Sequence, residues 1–372
     1  MENILIIPGS YKSTISASVA GDIIRQEYLH HRPFDNIRQV TITDGGEGTL
    51  ETFSRNFGGV IRYYSVRGMS GNQIVAKTLW INEFTAVIES ASVVGYSLVS
   101  EKNRNPWNLS SYGIGELILN VKFDGAKTIY ITMGDSAIMD IGVGMLSALG
   151  VRIFDADNHS IEPSTLSCLS KICAFDCEKM VDLSDVNLYA LVDTKDYLCG
   201  KYGQTKVYGK QKGLAENQAM LVEEGFCNYS KIIQDMFSID FTSTPMATGS
   251  GGLAASLNAF CAAPLIHCPE FISEKIGLQQ KIASSSIIIT GEGLLDNQTK
   301  WGKIPYFVSQ NYNGDIFLIV GGYTEEGLND IKSACKGNVH VILLDNSLSP
   351  HLGIAAATKE ICSIISKNLK DG

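Results

Sequence analysis

Apolar and polar positions fall into the same order at both ends of the chain. The N-terminal part opens on a continuously apolar run, NILII, passes through a glycine-containing loop, PGSYKST, and enters a stretch where Ala20, Ile23 and Ile24 recur at i, i+3 and i+4. The run is what a parallel strand covered on both faces requires, and the recurrence predicts a helix burying one stripe. RQVTIT then reads as a strand, DGGEG as a glycine loop and TLETFSRNF as a helix. The C-terminal part repeats this order. SIIIT precedes GEGLLD, IFLIV precedes GGYTEE, VHVILL follows, and a closing helix carries Ile354, Ala357, Ile361, Ile364 and Ile365 on one face.

The two ends therefore predict one doubly wound parallel sheet built from residues 1–65 and 285–372, with 66–284 inserted as a second domain. Patterning in the middle is less regular. VIRYYSV, KTLWI and TAVIES read as neighbouring antiparallel strands, whereas KTIYITMGDS followed by IGVGMLSALG is again strand, loop and helix. The predicted class is α/β in two domains, the inserted one mixed α+β. No internal repeat or low-complexity tract interrupts the reading.

Composition agrees with a folded chain: 372 residues, 45% hydrophobic and 19% charged, far from the signature of disorder. A net charge of −9 argues against nucleic acid or an anionic membrane as partner. No run reaches the roughly 18 apolar residues of a membrane helix, and the start of the chain has no basic region before its short apolar run, so a cytoplasmic protein is expected. Nine scattered cysteines suit reduced thiols. The densest group, Cys168, Cys173 and Cys177, lacks the fourth ligand and the pair spacing of a zinc site and is read as structural.

Candidate chemistry sits in loops after predicted strands, where open parallel sheets bind ligands. Asp44 and Glu47 in DGGEG suit Mg²⁺ or a substrate hydroxyl, and equally suit the N-cap and first turn of the following helix; the motif alone does not choose. Lys12 in PGSYKST is placed to reach a phosphate or carboxylate. In GDSAIMDIGVGM, the Gly134–Ser136 backbone could cradle an anion and Asp140 could hold a metal or hydroxyl, with helix capping as the alternative. Asp193 follows an apolar run, and Lys210 and Lys212 lie in a glycine-rich basic stretch suited to phosphate oxygens or to a solvated loop. Gly251 and Gly252 in ATGSGGLAASL match a dinucleotide fingerprint, but without a preceding strand they read as a glycine-rich helix start. TGEGLLDNQTKWGKIP brings Glu292, Asp296 and Lys303 beyond another strand end.

Walker, kinase H-R-D and D-F-G, G-x-S-x-G and H-E-x-x-H motifs are all absent. Asp, Gly and Lys loops in two domains suit phosphoryl transfer, which needs cationic neutralisation of phosphate, a carboxylate for the acceptor proton and a closing cleft.

SYKSTISA, TDGGEGT, ESASVVG, the SSYGIGELI run, GDSAIMDIGVGMLSALG, YGKQKG, GSGGLAA and TGEGLLDNQT, in this order, resemble the bacterial-type glycerate kinase family over nearly the whole chain. The resemblance implies a flavodoxin-like domain made from both chain ends, an inserted second domain, and ATP- and Mg²⁺-dependent phosphorylation of D-glycerate or a similar hydroxy acid. It implies catalytic roles for Asp193, Asp44 and Lys12, with Asp193 favoured over Asp44 as proton acceptor. Nucleotide contacts are expected from Lys212, Gly134, Ser136, Gly251, Gly252 and Lys303. Substrate contacts are expected from Ser10, Gly45, Gly46, Glu47, Asp140, Glu292 and Asp296, and metal ligation from Asp193 and Asp296. Monomer and homodimer both stay open. The chain departs from the family's P-D-S-F-K at Gly9 and Tyr11, from G-G-S-A-T-N-D at Asp135, Ile138 and Met139, from C-D-V-x-N-P-L at Asp196 and Tyr197, and from T-G-E-G-R-I-D at Leu294. These departures motivate two alternatives: a kinase for another small hydroxy acid or polyol, and a non-catalytic protein that binds a ligand or partner.

Overall fold

The computed structural model describes residues 1–371 except 10, 12–13, 101–103, 163–164, 201–202, 297–298 and 302. Thirteen strands are described: β1 Asn3–Pro8, β2 Asn36–Gln39, β3 Val60–Arg67, β4 Gln73–Asn82, β5 Thr85–Glu89, β6 Thr128–Met133, β7 Arg152–Phe154, β8 Ala174–Asp176, β9 Asn187–Val192, β10 Leu265–His267, β11 Ile287–Glu292, β12 Asp315–Val320 and β13 Asn338–Leu343. They fall into two compact units, Met1–Ile42 with Ile272–Gly372, and Thr43–Phe271.

The first unit is a five-stranded, wholly parallel sheet in the order β13-β12-β11-β1-β2. Numbered within the unit this is 2-1-3-4-5, the flavodoxin-like order. Central strands β1, β11 and β12 are buried almost throughout, as their unbroken apolar runs require. Helices Ala17–His31 and Pro350–Asp371 pack together on one face through Ala20, Ile23, Ile24, Ile354, Ala357, Ile361 and Ile365. The stripe read from spacing is the stripe that is buried.

The second unit is built on a six-stranded sheet, β10-β9-β6-β5-β4-β3. Strands β5, β6, β9 and β10 run parallel, while β4 and β3 are added antiparallel through short connections. β7 and β8 form a separate two-stranded antiparallel sheet. Three neighbouring parallel strands end at Glu89, Met133 and Val192, so the segments starting at Ser90, Gly134 and Asp193 emerge side by side from one sheet edge.

Two boundaries differ from the sequence-based expectation. Strand β2 ends at Gln39, not in TIT, because only Asn36–Gln39 find ladder partners on β1. The units divide at 42/43 and 271/272 rather than at 65/66 and 284/285. Helix Thr49–Phe57 packs on β4 and β5, and β3 pairs along its whole length with β4, which draws both into the second unit. DGGEG thus belongs to the second unit and does not directly follow a strand.

All nine cysteines are free, with Cys168 buried, Cys173 exposed and Cys177 half-buried. Among the described residues no helix is long and apolar enough to cross a membrane. Ile289 lies fully buried in the central strand β11. Ile289→Ala should lower unfolding stability by roughly 2–5 kcal/mol through lost burial and a residual cavity, read as a reduced urea midpoint.

Candidate active site

The Gly134–Asp140 segment folds back tightly after β6 because its residues accept unusual backbone states. Asp135 and Ile141 have φ of 50° and 55°, in the left-handed region. The start of helix Gly249–Cys261 is laid against this segment, and the glycines there are obligatory. Gly251 has φ of 74°, and a Cβ on it would stand 2.2 Å from the Ile138 carbonyl oxygen. Gly252 is held likewise, with Ile141 2.7 Å from its missing Cβ. The dinucleotide-like glycines therefore serve close packing; Gly251 also reaches the pocket described below, and Gly252 does not line it.

The pocket opens at the sheet edge and is lined by Tyr96, Gly134–Ser136, Asp193, Thr194, Gln204, Tyr208, Gln211, Lys212, Thr248, Ser250 and Gly251. Lys212 is its buried cation. Its Nζ donates to Ser136 Oγ at 2.9 Å and to the Ile138 carbonyl at 2.9 Å. Burial pushes the Lys212 pKa down to about 8, and Asp193, Asp140 and Asp135 act against that shift. Asp193 is an exposed residue at the pocket, yet its carboxylate is crowded by protein. That desolvation, followed by the nearby Asp44 carboxylate, pushes its pKa up to about 7. At the rim, Tyr208 donates to Thr194 Oγ1 and Asp196 Oδ2.

DGGEG lies beside this pocket within the same unit. Asp44 is exposed, and its Oδ1 accepts from Gly46 N–H at 3.0 Å, a local turn. Gly45 has φ of 108°. Gly134 and Gly46 let two backbones touch, since a Cβ on Gly134 would meet Gly46 N at 2.7 Å. Glu47 is exposed, and its N–H donates to Asp135 Oδ2 at 3.0 Å. One step further, the buried Glu89 carboxylate accepts from Leu50 N–H at 3.0 Å and from the Gly48 and Thr49 amides. The amides opening helix Thr49–Phe57 are therefore occupied by carboxylates of the chain itself. Asp44 and Glu47 contribute side chains here, and the helix end is not a vacant anion site.

Asp140 is placed differently from the expectation of a ligand contact. It is fully buried and accepts from Ser111 N–H and Ser111 Oγ at 2.7 Å each, and from the Gly142 and Gly144 amides at 3.2 and 3.3 Å. Its oxygens fasten the segment before helix Val143–Ala148 to the start of helix Tyr112–Phe123. Glu292, Asp296 and Lys303 come together in the other unit, with Lys303 Nζ 2.8 Å from Glu292 and 3.2 Å from Asp296. Asp193 and Asp296, expected to share metal ligation, belong to different units. Lys12 and Ser10 lie outside the described residues.

Sequence reading missed Asp135, Tyr96, Thr194, Asp196, Gln204, Tyr208 and Thr248 as pocket or rim residues. Only Asp135 carried a signal, an acid between glycine and serine after a strand.

A sequence model of the glycerate kinase family matches residues 4–363. The chain belongs to the glycerate kinase family. Among its relatives, the glycerate 2-kinase of Escherichia coli K12 is 32% identical over 87% of this chain and 86% of its own. The glycerate kinase of Halalkalibacterium halodurans is 31% identical, covering 86% of each. A crystal structure of a Salmonella typhimurium LT2 protein assigned as glycerate kinase 2 superposes with a TM-score of 0.82 at 28% identity, covering 99% of both chains.

Departures from the glycerate kinase pattern acquire physical reasons. Ile138 and Met139 are fully buried core residues that do not themselves line the pocket but lie directly behind its Lys212 and Gly251. At Gly9, a Cβ would stand 2.5 Å from the Gly291 carbonyl oxygen, so a side chain there requires β11 to shift. Tyr11 adds a hydroxyl that donates to the Ile319 carbonyl at 2.8 Å. Leu294 is half exposed in the first unit.

Asp140→Ala would leave the Ser111, Gly142 and Gly144 donors buried and unpaired. A loss of roughly 2–4 kcal/mol is expected from stranded donors to a charged acceptor, read as a lower calorimetric melting temperature.

Proposed function

We propose that the protein is a glycerate kinase, transferring the terminal phosphoryl group of ATP to a hydroxyl of glycerate. The observation that carries this reading is one pocket combining a carboxylate held near neutrality, Asp193, with an enclosed ammonium, Lys212, in a chain of this family. Asp193 accepts the proton of the acceptor hydroxyl as the new P–O bond forms and the bond to the nucleotide's bridging oxygen breaks. A base poised near the working pH is suited to that task. Lys212, fixed by Ser136 and the Ile138 carbonyl, offers positive charge where phosphate oxygens accumulate it with opposite sign. Gly134 and Gly251 complete the wall against which the anion rests. Asp44 stands beside Asp193, and Glu292, Asp296 and Lys303 are proposed ligand contacts of their own unit.

Magnesium fits this donor set in one manner. Among the described residues no three His, Cys, Asp or Glu side chains form a cage for a metal ion. The exposed Asp44 carboxylate, beside Asp193, would suit a cation that brings most of its ligands as phosphate and water oxygens, which leaves Asp193 to act as the base. When bound, Mg²⁺ would supply neutralisation of phosphate charge.

A catalytically silent binder is the second reading, motivated by Gly9, Met139 and Leu294. The burial of Met139 and the retained Asp193 and Lys212 pair count against it.

Purified protein supplied with D-glycerate and MgATP should produce ADP and phosphoglycerate in a coupled assay; binding of both ligands by calorimetry without ADP formation would favour the silent binder. Asp193→Asn is expected to reduce kcat by about 10²–10⁴-fold, the usual contribution of a positioned base. Asp193 must be ionised and Lys212 charged. Accordingly kcat/KM should rise with pH through about 7 and fall through about 8, and bound phosphate should move the upper limb of kcat to higher pH by favouring the ammonium.

A further inference from the structure

Two polar side chains of the pocket wall are buried without a partner. Gln204 is 1% exposed and Thr248 3% exposed, and both line the pocket. Among the described residues, neither Gln204 Oε1 nor Thr248 Oγ1 finds a hydrogen bond. A shielded, unpaired polar atom is costly, and native proteins leave few of them. Thr248 can turn its hydroxyl to donate or to accept, whereas an amide oxygen only accepts, so Gln204 is the more selective of the two.

Gln204 is also held in place. It opens helix Gln204–Tyr208, and its N–H donates to the Leu198 carbonyl at 3.2 Å. A Cβ on the preceding Gly203 would stand 2.6 Å from the Cys199 backbone, so the turn into this helix is tightly packed. At the other end, the Tyr208 hydroxyl ties the helix back to Thr194 and Asp196. Ionised phosphate and carboxylate oxygens are acceptors and cannot satisfy the Gln204 oxygen; a ligand hydroxyl can. With the reacting hydroxyl of the acceptor at Asp193, a hydroxyl on the neighbouring carbon comes into the same pocket. The ribose hydroxyls of the nucleotide lie a whole phosphate chain away from the transferred group.

We propose that Gln204 is a specificity-determining residue that accepts a hydrogen bond from the acceptor's second, non-reacting hydroxyl, selecting vicinal dihydroxy acids over monohydroxy acids. This deepens the glycerate kinase reading and rests on it. An acid without that hydroxyl can enter the pocket but leaves the buried amide oxygen unpaired, which is how a site built for a hydroxyl rejects its deoxy analogue.

Lactate and 3-hydroxypropanoate each keep one of glycerate's two hydroxyls, so one of them carries the reacting hydroxyl and lacks only the second. In the parent, kcat/KM for glycerate should exceed that for this analogue by about 10²-fold or more. Gln204→Met keeps the side-chain length and removes the acceptor. It should narrow that ratio by about tenfold or more, slowing glycerate while the analogue changes by less than about threefold. A parent that uses both acids equally well would overturn the proposal without any variant. So would an unchanged ratio in the variant, or an equal loss for both acids, which would mark Gln204 as a support of the wall. The loss in the variant should be the same with 2′-deoxy-ATP and 3′-deoxy-ATP as with ATP; its disappearance with either would assign the amide to the ribose and overturn the proposal. Should the parent turn over no glycerate, the kinase reading fails on its own. Calorimetric dissociation constants for glycerate, lactate and 3-hydroxypropanoate, in parent and variant, then decide the role of Gln204 by the same ratio.

Discussion

Burying a lysine charge is costly unless hydrogen bonds and opposite charges surround it, and much of the second unit is arranged around that requirement at Lys212. Ser136 Oγ and the Ile138 carbonyl accept hydrogen bonds from its Nζ, which ties down the path of the Gly134–Asp140 segment. That path demands left-handed backbone at Asp135 and Ile141 and brings it against Gly251 and Gly252, where side chains would collide. Asp193, Asp140 and Asp135 supply the compensating charge. The ammonium thereby organises two loops and one helix start while keeping a face toward the pocket.

A second level of organisation comes from carboxylates that serve as backbone anchors. Asp140 collects donors from two helix starts, Glu89 collects the amides of Gly48, Thr49 and Leu50, and Asp135 takes the amide of Glu47. Each satisfies donors that would otherwise compete for a ligand. The acids that remain exposed here are then those at the surface of the pocket and its neighbouring loop, Asp193, Asp135, Asp44 and Glu47. Asp193 gains its near-neutral pKa chiefly from desolvation by the surrounding protein, and further from the charge of Asp44 and Asp135 beside it.

The parallel strands of both units, the buried stripe of the N-terminal and C-terminal helices and the antiparallel β3, β4 and β5 were legible in the sequence, because strand and helix periodicities survive in the pattern of burial. The end of β2 was not, since TIT has the composition of a strand but meets no ladder partner. Nor was the unit boundary, which depends on where helix Thr49–Phe57 and β3 find their packing partners. At the site, Asp193, Lys212, Gly134, Ser136 and Gly251 were named from loops that the fold does bring to one pocket, whereas Asp140 was named from the same loop and turned inward. Composition gives an aspartate no sign of which way it faces.

By itself, then, the sequence determined the class of fold, the family and the set of acids and lysines available for chemistry, because repeated apolar spacing and long ordered motifs are written locally. Tertiary structure decided which acids face the pocket and which brace the backbone. It enclosed Lys212, raised Asp193, consumed Asp140 and Glu89 in backbone hydrogen bonds and pinned Asp135 to the pocket wall. Those assignments depend on desolvation and on groups far apart in the chain, such as Glu47 with Asp135 and Ser136 with Lys212, and no local pattern of residues encodes such distances.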